Sequence, residues 1–232
     1  MRILLVSGMY PSPERPEYGV FVERLANALR TRGHEVDESV LRSGRRGRVA
    51  TPVAYAGLLG RTLAMARRTK PDVVYAHYLV PPGLIAAVTG CKYAVTAHGG
   101  DVRNARSSLA IGLLTRLVVR RSGAVICVSE YVRDRLGAPA EVIDCGVDTD
   151  RYRPTPRAPG DGPRFLFVGS LTARKREGAA QEPGVGDGRC DPAAAPASQH
   201  RLVDLVAARP KRVRKPLDED AVLRTLRRGV HA

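Results

Sequence analysis

Residues 93–102 read Tyr-Ala-Val-Thr-Ala-His-Gly-Gly-Asp-Val. Tyr93–Ala97 is β-branched and aromatic enough to form a strand, and the run stops at His98. Two glycines and Asp101 follow, which puts an imidazole and a carboxylate on flexible backbone at the strand's carboxyl edge. In open parallel sheets that edge is where ligands bind. Other strand candidates end in the same way. Ile3–Val6 runs into Ser7-Gly8, Val73–Ala76 into His77, and Ala124–Val128 into Ser129-Glu130. Small and polar residues thus gather at one lip of a sheet.

Helical periodicity fills the intervals between these strands. Gly19 opens a helix to about Arg32, with Phe21, Leu25, Ala28 and Leu29 on one face and Gly33 as its C-cap. His34–Leu41 reads as a second strand in spite of its acids, and 52–69 as an amphipathic helix ended by Pro71. A short helix follows Pro81-Pro82-Gly83. Ser107–Arg121 reads as a helix with Leu109, Leu113, Leu117 and Val118 inward. Ser129 is an N-cap for the helix Glu130–Leu136, and Ala140–Ile143 is a last strand. Strands alternating with helices over short connections imply an α/β fold, a doubly wound parallel sheet.

The chain has 232 residues, 44% of them hydrophobic, so a sizeable core is available. Aromatics are only 5% with no Trp, which leaves Val, Leu and Ala to fill that core. The formal net charge of +15 is read either as a solvated basic surface or as a surface for an anionic membrane or polyanion. Nucleic acid is not expected, because aromatic–basic interleaving and zinc-finger spacing are absent. Cys91, Cys127, Cys145 and Cys190 form no C-x-x-C pair, in keeping with a reducing, cytoplasmic setting. The start of the chain does not read as a signal peptide, and no run approaches the roughly 18–20 apolar residues of a spanning helix.

Residues 148–163 have a linker's Pro, Arg and Gly content, and 164–168 is a new strand ending at Gly169-Ser170. Beyond Lys175 the character changes. Residues 176–232 contain no Phe, Tyr, Ile, Met or Trp, and 177–199 is mostly Gly, Ala, Pro and charge. Such a segment cannot bury enough surface to offset its ordering entropy, so a disordered tail is expected over 176–232. Within it, 201–209 and 217–228 have the pattern of short amphipathic helices.

Six stretches carry a resemblance to a known family. They are MRILLVSGMYPSPERPEYGVF (1–21), RGHEV (32–36), PDVVYAHYLVPPG (71–83), VTAHGGDV (95–102), the run from AVICVSEYVRDRL to VIDCGVDTDRYRP (124–154), and FLFVGSLTARK (165–175). In this order and spacing they resemble the retaining glycosyltransferases of family 4, with the two-domain GT-B fold. The resemblance implies a Rossmann-like N-terminal, acceptor-side domain over 1–147, an interdomain linker over 148–163, the first strand of a donor domain over 164–175, and an unrelated tail over 176–232. It implies transfer of a sugar from a nucleotide-sugar to a glycan or lipid-linked acceptor with retention at the anomeric carbon. The nucleotide-sugar is a co-substrate, with no further cofactor and no essential metal.

By the same resemblance His98 is the catalytic histidine beside the transferred sugar, hydrogen bonding a hydroxyl and orienting the reacting centre. A leaving diphosphate needs cations and backbone N–H donors. Gly19, Arg174 and Lys175 occupy the positions for that task. Gly19 is read equally as a simple helix start, and Arg174 as a solvated turn. His77, with Tyr78 beside it, Asp101 and Glu130 are candidates for the acceptor or sugar cleft. His77 is equally read as a packed imidazole, and Asp101 as the cap of a following turn.

One motif departs from the family. No two glutamates stand in the Glu-x7-Glu spacing that holds the ribose and sugar in the donor domain. A truncated or frame-shifted donor domain is therefore expected, with weak or no transfer by this chain alone. The competing reading is a non-catalytic sugar or lipid-head-group binding module completed by a separate donor-domain subunit. The basic residues Arg45, Arg46 and Arg48 further suggest weak peripheral contact with the anionic inner face of a membrane.

Overall fold

A computed structural model of the chain describes residues 1–42, 50–146 and 219–231. The chain divides into two compact units, Met1–Arg151 with Lys215–Ala232, and Tyr152–Arg214. All described residues belong to the first. The linker, the donor-domain strand, residues 176–200 and the Arg45–Arg48 turn lie outside the described residues, as do Arg174 and Lys175.

The strands are β1 (Arg2–Ser7), β2 (Glu35–Val40), β3 (Val73–His77), β4 (Tyr93–Ala97), β5 (Ala124–Cys127) and β6 (Glu141–Val142). They form one sheet in the order β2-β1-β3-β4-β5-β6, every pair parallel. The α/β doubly wound reading is correct. The helices are α1 (Val20–Thr31), α2 (Ala50–Thr69), α3 (Leu84–Ala87), α4 (Gly100–Ser107), α5 (Leu109–Arg121), α6 (Glu130–Leu136) and α7 (Glu219–His231).

β2 carries its acids because it is an edge strand with cations beside it. Glu35 pairs with Arg2 at 2.6 Å, and Glu38 with Arg30 at 2.7 Å. Tyr10 donates its hydroxyl to Glu38 at 2.7 Å.

Right-handed crossovers decide which face each helix covers. The chain steps one way from β1 to β2 and the other way from there on, so α1 lies on one face and α2 to α6 on the other. The core follows this division. Leu4, Val6, Val74, Ala76, Val95 and Ala97 point to the face packed by Leu58 of α2, Ala86 of α3, Val118 of α5 and Val132 of α6. Ile3, Leu5, Tyr75, Ala94 and Ile126 point to the opposite face, where α1 packs Val22 and Ala26 against Leu5, and Leu25 and Leu29 against Ile3 and its neighbours. The rest of that face is closed by Ala221, Val222, Leu223 and Leu226 of α7.

The tail expected to be disordered over 176–232 therefore ends in a packed helix over Glu219–His231. The physical reason is the bare half of the sheet. Apolar residues spaced at helical intervals gain by covering it even though the tail as a whole is poor in them. Gly229 fits directly on Gly123, where a Cβ on Gly123 would meet the Gly229 carbonyl oxygen at 2.5 Å. Lys92 donates to the Val230 carbonyl, Thr225 donates to Glu141, and Arg32 pairs with Asp220 at 3.2 Å.

Three local expectations change. The buried face of α1 is Val22, Leu25, Ala26 and Leu29, so Phe21 turns toward the sheet's lip and Ala28 outward. In α5 the buried positions are Thr115 and Val118, whereas Leu109 is 90% and Leu113 63% exposed. Leucines spaced by four residues form a stripe, but periodicity alone does not say which of two stripes meets the sheet. The Gly-Gly-Asp stretch is not loose backbone. It starts α4, because the Asp101 carboxylate binds the N–H groups around it.

Leu226 is fully buried between α7 and the sheet. Leu226→Ala is expected to destabilise this unit by about 3 kcal/mol, within the usual range for a buried leucine. Urea unfolding followed by circular dichroism measures it. A loss under about 1 kcal/mol would mean that α7 does not close the sheet in solution.

Candidate functional site

Strand order reverses between β1 and β3, and such a switch opens a crevice at the carboxyl ends of the two strands. Ser7, the last residue of β1, is in register with His77, the last of β3. His77 is in turn beside Thr96 of β4, two residues before His98. The two imidazoles meet there, with His77 Nδ1 3.1 Å from His98 Nε2.

Aromatic rings enclose the pair. Phe21, in the first turn of α1, stands 4.9 Å from the His98 ring, and Tyr78 stands 4.6 Å from it. Tyr75 lies 4.8 Å from His77. His77 is buried and does not line an open cleft, whereas His98 keeps part of its surface exposed. Burial pushes the His98 imidazole down to about 4. Burial, and after it the neighbouring His98, holds His77 well below its usual value. Both rings are neutral near pH 7.

Asp101 ties this corner together. One carboxylate oxygen accepts the Leu79 N–H at 3.1 Å, and the other accepts those of His98 and Val102 at 3.1 and 3.0 Å. Burial raises its carboxyl above the usual carboxylate range, and the three donors pull it back. A carboxylate engaged with three backbone donors positions the loops after β3 and β4, which is the capping alternative for this residue. Tyr78 has φ +78°, a value that a tyrosine holds only at a cost in backbone strain. Its N–H still extends the sheet to Thr96 O at 2.9 Å, and Gly83 donates back to its carbonyl at 3.0 Å.

Gly19 is the N-cap of α1 with φ +77°. A Cβ there would lie 2.6 Å from the Met9 carbonyl carbon, so packing against residues 9–10 already requires glycine. Through Phe21 this helix start lies beside His98. Glu130 is exposed at the start of α6, where Ser129 Oγ accepts the Val132 N–H at 3.3 Å, the expected N-cap. The structure thus gathers His77, His98, Asp101 and the start of α1 into one corner. Reading the sequence pointed to Tyr78 beside His77 but placed Phe21 on the inward face of α1, and so missed it as a wall of that corner. Phe21 shares a helical stripe with Leu25 and Leu29, so the period alone does not set it apart. Among the described residues no three His, Cys, Asp or Glu side chains gather to hold a metal ion. The corner offers a neutral hydrogen-bonding imidazole between flat apolar walls at a helix N-terminus. Such an arrangement suits a polyhydroxylated or phosphorylated ligand.

The sequence profile of Glycosyltransferase Family 4 matches residues 19–151. No curated protein matches the chain. Among solved structures, sucrose-phosphate synthase from Thermosynechococcus elongatus is 16% identical with a TM-score of 0.56, over 99% of this chain and 73% of that one. The S. aureus MnaA–UDP co-structure is 14% identical with a TM-score of 0.43, over 66% of this chain and 48% of that one. UDP-GlcNAc 2-epimerase from Methanocaldococcus jannaschii is 14% identical with a TM-score of 0.42, over 63% and 45%. The chain thus spans less than half the length of the last two.

These two depressed imidazoles, and with the same sign that of His34, which burial and then the N-terminal charge also lower, make stability depend on pH. Below about 6.5 the unfolded chain takes up protons on His77 and His98, while the folded chain does not until far lower pH. Stability is therefore complete above about 6.5 and falls as pH drops toward 4. The loss is at most about 1.4 kcal/mol per pH unit for each histidine. Asp101, raised by burial, acts in the opposite direction near the carboxylate range. Urea midpoints measured across this window are expected to fall with pH, and His98→Asn to flatten the slope. A midpoint independent of pH would contradict the burial of this pair.

Proposed function

The chain belongs to Glycosyltransferase Family 4, and on that premise we propose that it takes part in transferring a sugar from a nucleotide-sugar to a glycan or lipid-linked acceptor, with retention at the anomeric carbon. The observation that carries the proposal is the corner itself. A partly exposed, neutral His98 stands at the sheet's switch point, 4.9 Å from Phe21 at the start of α1.

In this reading the N-terminus of α1, at Gly19, faces the diphosphate, where its unpaired N–H groups oppose the charge that builds on the leaving group. His98 hydrogen bonds the sugar and fixes its orientation. By the family resemblance alone, Arg174 and Lys175, which lie outside the described residues, are the cations for a diphosphate. The exposed Glu130 borders the acceptor side. No essential metal is called for, since cations and N–H donors perform the charge stabilisation.

The test inserts a family donor domain after Val168 with α7 kept at the end of the chain, and assays a panel of nucleotide-sugars by mass spectrometry of the products. Transfer is expected, and His98→Ala is expected to lower kcat on the order of 100-fold, the scale of lost orientation, with the thermal midpoint of folding retained. Undiminished turnover in His98→Ala would overturn the role of His98. Sugar binding without transfer from any donor would favour the alternative, a binding module completed by a separate subunit.

We also propose weak peripheral contact with an anionic membrane at a cytoplasmic face. No helix among the described residues is long and apolar enough to cross a membrane. The exposed Leu109 and Leu113 of α5 border a cavity of about 570 Å³ that Arg106, Arg116 and Arg135 also line. Each basic residue at such a surface contributes on the order of 1 kcal/mol. Co-sedimentation with anionic vesicles is expected to exceed that with neutral ones and to fall with salt, and Leu113→Asp to weaken it. Equal binding to both vesicle types would exclude the electrostatic account.

A further inference from the structure

His77 and His98 share one hydrogen bond between two neutral rings, so a single proton lies between His77 Nδ1 and His98 Nε2. A neutral imidazole has one donor and one acceptor nitrogen, and the partner of one fixes the state of the other. Two arrangements are possible. Either His77 donates from Nδ1, or His98 donates from Nε2.

The far side of His77 decides between them. His77 Nε2 is buried and, among the described residues, has no hydrogen-bond partner. If His98 donated, the proton of His77 would have to sit on that nitrogen as a buried, unpaired N–H. Orphaned buried N–H groups are rarer in native proteins than acceptors left without a donor. If His77 donates, Nε2 keeps only a bare lone pair. The backbone of His77 is held on both sides, in register with Ser7 and with Thr96, and the Tyr75 ring lies 4.8 Å from its ring.

We infer that His77 is a positioning residue that donates from Nδ1 to His98 Nε2 and so holds His98 as the Nδ1–H tautomer, with an N–H and not a lone pair offered to a bound substrate. Free histidine side chains favour the other tautomer, so the buried partner reverses the ordinary preference. The consequence for chemistry is specific. His98 then donates to an electron-rich oxygen of the ligand, a phosphate or sugar oxygen, and cannot accept a proton at that nitrogen. Its other nitrogen is occupied by His77, which places His98 among hydrogen-bond donors rather than general bases. The substrate side of this inference rests on the proposed role of His98, while the tautomer itself does not.

Long-range proton–nitrogen correlation spectra of the full chain, labelled with 15N-histidine at neutral pH, read the tautomer directly. The His98 Nδ1 is expected to be pyrrole-type and its Nε2 pyridine-type, with His77 Nδ1 also pyrrole-type. A His98 that carries its proton on Nε2 in the unmodified chain overturns the inference without any variant. In His77→Phe, which fills the space with no donor, His98 is expected to revert to the Nε2–H form. In His77→Asn, whose side-chain amide puts an N–H close to the position of Nδ1, the Nδ1–H form is expected to persist. A folded His77→Phe whose His98 keeps the Nδ1–H form would also overturn it. Titration with a nucleoside diphosphate separates the two layers. A shift confined to the His98 Nδ1–H signal supports the donor role. An unmoved signal with the expected tautomer removes the substrate and leaves the positioning by His77 intact.

Discussion

A parallel strand that is left and rejoined by a helix is almost always crossed over in the right-handed sense. Combined with the strand order β2-β1-β3-β4-β5-β6, that one rule stations α2 to α6 against the same face. The opposite face receives α1 alone, which reaches β1, β2 and the near side of β3. Everything else about the described unit follows from closing the remaining half. Tyr75, Ala94 and Ile126 need an apolar cover, and α7 provides it. The same handedness opens the switch point between β1 and β3, so the architecture that requires α7 also creates the crevice.

At that crevice the chain places groups that would be awkward elsewhere. A buried imidazole meets a partly exposed one, a tyrosine is held at positive φ, and a carboxylate is taken out of water. Each is tolerable because a neighbour compensates. The imidazoles stay neutral and bond to each other. Asp101 meets three N–H donors. Tyr78 keeps its place in the sheet through Thr96. Such compensation makes the corner rigid, and a rigid corner can hold a ligand oxygen at a fixed distance.

Reading the residues reached the parallel sheet and the strand ends, the place of His98 just after β4 among them, because continuous Val, Leu and Ala runs ending in small or polar residues suit strands buried on both faces. It left His77 and Asp101 open between ligand contact and internal packing, since a residue type at a strand end does not reveal which way its side chain turns. Burial of His77 and the three donors on Asp101 are tertiary facts. The leucine stripe of α5 was misplaced for a related reason. Leu109 and Leu113 are as apolar as any core residue, and only the docking of Val118 and Thr115 shows that they face outward. The last helix had the right period but sat in a segment whose composition argued for disorder. Period was the better guide there, because a short helix needs only one apolar face to bind a bare sheet.

The distance along the chain between α6 and α7 has a consequence for how the protein is made. Residues 147–218 must leave the ribosome after the last strand and before α7. The sequence separation itself adds little to the equilibrium cost of docking α7, since that cost grows only with the logarithm of the separation. Its effect is on timing. All six strands are available while Tyr75, Ala94, Ile126 and Ile143 still lack the helix that covers them. A nascent sheet with one apolar face open is the species that chaperones bind and that aggregates when they do not. Synthesis of this chain therefore carries an interval of vulnerability set by elongation speed through a segment that contributes no side chain to the described core. Slowing translation within that segment lengthens the interval without changing the stability of the finished protein.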